Sequence, residues 1–188
     1  MKTKLLNTNL QISNIRKNIM FFLIIAILLF LNEINLINKL FLSNNTMLGN
    51  VDTLKKYKVG IISIIYIFQF FATFITIVLE TFIICIITKV LYKKSNSLKI
   101  FLEPIIISNI MCLIVNSILL QLLGTFESME ALKMRAVFSP ANLLQPIIIC
   151  YFLSKKNIIP KTIIDWVKTG GIYVAVIYIP AIVLLVFT

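Results

Sequence analysis

A chain of 188 residues that is 60% hydrophobic and only 13% charged, with a mean hydropathy of +1.00, carries more apolar surface than a soluble domain of this size can bury. It has no histidine, which removes the Ser-His triad, the usual general base near neutral pH and histidine metal sites. Its net charge of +11 raises the question of nucleic acid, which the placement of the charge answers.

The first apolar segment begins near Ile19 as "IMFFLIIAILLFL" and continues past Asn32 and Glu33 toward Leu42. Arg16 and Lys17 precede it, as in a signal peptide, but no small-x-small cleavage site follows, so it reads as an uncleaved helix. The second segment spans about 59–91. Within it, "ATFITIVLETFIICIIT" (Ala72–Thr88) holds a single carboxylate, Glu80. Insertion scales put such a group at about 2.5–3.5 kcal/mol at mid-bilayer, so Glu80 is expected to face protein or water. Thr73 and Thr76 share its helical face by i, i+3 and i+4 spacing.

The third segment, about 100–123, places Asn109, Cys112 and Asn116 on one face. The fourth, about 137–153, opens "SPANLLQP", with Asn142 and Gln145 beside Pro140 and Pro146. A proline frees a backbone carbonyl, which neighbours must satisfy in lipid. The fifth, about 166–188, follows "KNIIPKTIIDWVKTGG", where Pro160 suits a first helical turn, Trp166 an interfacial anchor, and Gly170-Gly171 a stop or hinge. Glu80, Thr76, Asn109, Asn116, Asn142 and Gln145 are therefore the candidate polar cluster, with interhelical hydrogen bonds of about 0.6–2 kcal/mol each. Cys85, Cys112 and Cys150 all lie in apolar runs without a CxxC pair and read as small hydrophobes.

These segments predict an all-α, polytopic membrane bundle of five transmembrane helices, in a single integral membrane domain over 1–188. Apolar runs near 20 residues fit helices and not barrel strands. With the N-terminus inside, twelve basic and two acidic residues fall on the inner side, against six basic and four acidic on the outer, as positive-inside orientation requires. The C-terminus then lies outside. Basic charge gathered at a cytoplasmic face meets anionic lipid, at about 1 kcal/mol per juxtamembrane Lys or Arg; no loop is long enough for a nucleic-acid-binding domain. The abundance of Ile, Asn and Lys points to an AT-rich, bacterial genome and its cell membrane.

This arrangement resembles the Yip family of Rab/Ypt-interacting membrane proteins over roughly Val59–Thr188. The residues that carry the likeness are "ITIVLETFIICIITKVLYKKSNSLKIFLEPIIISNIMCLIVNSILLQL" (Ile75–Leu122), two spans around a short basic inner loop, and "NLLQPIIICYFLSKKNIIPKTIIDWV" (Asn142–Val167), a span with its "LSKK" loop. The resemblance implies a five-helix fold and a non-enzymatic role in membrane organisation or trafficking. The competing expectation is a membrane subunit of an export system, docking a cytoplasmic ATPase or another membrane protein, or a toxin or bacteriocin immunity protein. No catalytic constellation, cofactor or metal site is expected on either reading.

Overall fold

A computed structural model describes residues 16–17, 19–36, 58–94, 96–122 and 139–187. Its described residues form helices and their short connections: α1 (Ile19–Leu36), α2 (Lys58–Tyr92), α3 (Leu98–Leu122), α4 (Pro140–Lys155) and α5 (Ile163–Phe187). Four of them, all but α4, are long and apolar enough to cross a membrane. The chain is a multi-pass helical membrane protein. The continuation of the first segment toward Leu42 lies outside the described residues.

The helices differ in reach. At 1.5 Å per residue, the 35 residues of α2 extend about 52 Å, beyond a hydrocarbon layer of about 30 Å, whereas the 16 residues of α4 reach only about 24 Å. The start of α4 follows from its sequence. Ser139 caps it, accepting from the Ala141 amide at 3.3 Å, and Pro140 occupies the first turn. Its end is a Schellman motif. The Ile158 amide returns to the Leu153 carbonyl and the Asn157 amide to that of Ser154, with Asn157 left-handed at φ 54°.

The lead-in to α5 departs from the sequence expectation. The helix starts at Ile163, not at Pro160, and runs unbroken through Gly170 and Gly171. Thr162 and Asp165 explain the start: the threonine hydroxyl accepts from the Asp165 amide at 3.2 Å and donates to the Asp165 carboxylate, an N-cap that Pro160 cannot supply. Gly170 sits against α4, where a Cβ added to it would lie 3.5 Å from Pro146 Cβ.

Successive helices alternate in direction. Lys17 at the start of α1 and Lys156 at the end of α4 both bind Glu103 near the start of α3, the second at 2.8 Å. Lys94, just past α2, donates to the Asn157 carbonyl at 2.9 Å. Tyr92 reaches the Asp165 carbonyl and Thr169 on α5. These contacts bring one end of every helix together. Among the described residues, every lysine and arginine except Lys58 lies at or near that end, called here the basic end.

The core is a column of Ile25, Ile77, Ile84, Phe101, Ile105 and Leu153, each essentially inaccessible. The outward faces are equally apolar, with Phe68 74% and Val90 71% exposed, as lipid contact demands. Lipid tails compete with such side chains on equal terms, so association rests on close packing and polar contacts. Among the described residues the most extensive interface is α3 against α4, with small Ser108, Cys112 and Ala141 buried on these helices.

Candidate functional site

Glu80 is 3% exposed and lies between α3, α4 and α5. Its Oε2 accepts from Asn109 Nδ2 at 2.9 Å, and Gln145 Nε2 donates to Oε1 at 2.9 Å and Oε2 at 3.0 Å. Among the described residues no cation pairs with it. Tyr178 on α5 extends the chain of contacts, donating to Gln145 Oε1 at 3.2 Å and to the Asn142 carbonyl at 3.3 Å. The second bond has a backbone cause. Pro146 has no N–H for the carbonyl four residues earlier, which is that of Asn142, and the tyrosine supplies the missing donor. The same pairing recurs at the basic end, where Pro104 frees the Ile100 carbonyl and Lys156 Nζ takes it at 3.2 Å.

The six candidate residues do not form one cluster. Glu80, Asn109 and Gln145 meet directly. Asn142 joins through its carbonyl to Tyr178. Asn116 lies nearer the start of α4 and accepts from the Ser139 hydroxyl. Thr76 bonds the Ala72 carbonyl of its own helix at 2.9 Å and, with Gln69, Ala72, Thr73 and Asn109, lines an open groove of about 320 Å³. Cys112 and Cys150 are buried and donate weakly to the carbonyls of Ala141 and Trp166.

Two further buried groups carry a polar atom without a complete hydrogen bond. Tyr173, 1% exposed and beside Glu80, has a hydroxyl without a hydrogen-bond partner among the described residues. Glu33, which the charge count assigns to the outer side, lies within α1 as the continuation of the first segment past it implies, 2% exposed, with Oε2 unpartnered among the described residues. Its neighbour Asn32 donates to the Leu113 carbonyl at 3.4 Å, which fixes this face of α1 on α3.

The chain matches none of the family models, curated proteins or solved structures with which it was compared.

Proposed function

We propose that the chain is a non-enzymatic, five-span membrane scaffold of the Yip type. Its basic end is cytoplasmic and gathers anionic lipid or a cytoplasmic partner. The observation that supports this reading most is the collection of described cations at one end of the bundle. Lys17 and Lys156 are engaged by Glu103, and Lys94 by the Asn157 carbonyl. Lys93, Lys99, Lys155 and Lys161 are exposed and make no ion pair among the described residues. They present a charged rim held by a tied framework, at about 1 kcal/mol per residue toward an anionic surface. The α4 helix crosses as a short span on this reading, with the bilayer thinned locally or its ends met by polar groups.

Replacing Lys93, Lys99, Lys155 and Lys161 by glutamine leaves the tied framework intact and should lower co-purifying anionic lipid or partner severalfold. An unchanged lipid profile and partner yield would reject the reading. The second reading, a membrane subunit of an export system, is favoured by the polar groove that reaches Asn109. Glu80→Gln separates the two, because a scaffold keeps its function and an export subunit that uses the carboxyl loses it.

A further inference from the structure

Glu80 divides the bundle into two unlike halves. Toward the basic end, the next layers are Ile84, Ile105, Phe101, Ile149 and Leu153, none more than 1% exposed. The hydroxyls in those layers are turned back on their own helices: Thr81 to the Ile77 carbonyl, Thr88 to that of Ile84, and Ser108 to that of Ile105. About 18 Å of helix separates Glu80 from Tyr92 at that end, where the Tyr92 and Thr169 hydroxyls pair with each other and with the Asp165 carbonyl and, among the described residues, make no hydrogen bond to Glu80 or Tyr173.

Away from the basic end the surroundings reverse. The groove lined by Gln69, Thr73, Thr76 and Asn109 occupies about 320 Å³, room for about ten waters at roughly 30 Å³ each. Gln69, Thr73 and Thr76 precede Glu80 on α2 and so lie progressively farther from the basic end. Asn109 lines the groove and also donates to Glu80. Beside the carboxyl, the buried Tyr173 hydroxyl is close enough to Glu80 to interact with it but does not meet full hydrogen-bond geometry.

We propose that Glu80 is a one-sided proton-exchange site: its carboxyl trades a proton with water entering from the end where α4 begins, and is closed to the basic end. The step is a transfer from the carboxyl oxygen to groove water, giving carboxylate and hydronium, and its reverse. Asn109 and Gln145 donate to the carboxylate, and Tyr173 is positioned to add a third donor when the proton leaves. The titratable groups facing Glu80 are Cys112 from α3 and Tyr173 and Tyr178 from α5. The α4 helix offers only the amide of Gln145, and among the described residues α1 offers none.

Single cysteines test the path in the full chain, reconstituted in one orientation, with Cys85, Cys112 and Cys150 replaced by alanine. The probe is a membrane-impermeant methanethiosulfonate, added to either side. At Thr73→Cys, Thr76→Cys and Asn109→Cys, reaction from the α4-start side should be at least about tenfold faster than from the basic side, because only a wetted thiolate reacts and a lipid-facing thiol does not. Ile84→Cys and Ile105→Cys should stay unmodified from both. Faster reaction from the basic side, equal rates, or no reaction at the three groove positions would overturn the proposal. The proton itself is read in the cysteine-free chain with dicyclohexylcarbodiimide, which adds to a protonated carboxyl as the acid proton moves to nitrogen. Adduct on the Glu80 peptide should follow the pH of the α4-start side alone and vanish in Glu80→Gln. Adduct that follows the basic-side pH, or none at any pH, would also overturn it.

Discussion

Glu80 takes its place through neutral donors, and that decides how its variants behave. Glu80→Gln keeps the shape but turns an amide NH2 toward the donors Asn109 Nδ2 and Gln145 Nε2, so it should lower stability to unfolding in detergent by about 1 kcal/mol, less than removal of the side chain. Glu80→Ala strands Asn109 and Gln145 and should cost on the order of 1–3 kcal/mol. A Gln variant as unstable as the Ala variant would mean that the charge holds the cluster together. Tyr178 makes a sharper case because it replaces a donor that Pro146 lacks. Tyr178→Phe should destabilise by about 1–2 kcal/mol, and most of that loss should disappear in the Pro146→Ala background, where a helical N–H can reach the Asn142 carbonyl. Additive effects in the double-mutant cycle would show that the tyrosine acts elsewhere. The direct partners of Glu80 were readable in the sequence, since an isolated acid in an apolar run needs amides at similar depth and Asn109 and Gln145 supply them. The diversion of Asn116 to Ser139 was not, because it depends on how far α4 extends along α3.

At the scale of elements, the boundaries of α2 and α3 were legible from hydropathy, and α4 and α5 less so. Proline and glycine signals misplaced the start of α5 because Thr162 and Asp165 form a better cap than Pro160. Thr162→Ala should cost about 1 kcal/mol, measured by unfolding or by faster amide exchange at Asp165 and Trp166. An unchanged exchange rate there would refute the cap. Just past α2, Lys93 adopts φ 53°, a left-handed geometry that penalises any side chain. Lys93→Gly should therefore stabilise the chain by on the order of 1 kcal/mol, and a loss of stability would mean that the lysine side chain contributes more than its backbone costs. Neither the φ value nor the Glu103 bridge between Lys17 and Lys156 leaves a mark in a single sequence. The first is a consequence of chain reversal, and the second joins residues brought together only by packing.

For the molecule as a whole, two asymmetries run along the same axis. Charge collects at one end, while the groove that reaches Asn109 and Glu80 lies toward the other, with an apolar core between them. A positive end favours retention in the cytoplasm during insertion, so on the proposed reading the basic end would set the orientation and, with it, the compartment that the Glu80 groove would face. Topology therefore bears most directly on the role of the basic end. Reporter fusions at Lys94 and Ser154 should read cytoplasmic, and those at Asn50 and Glu130 external. An external reading at Lys94 would contradict both the orientation and the proposed role of the basic end.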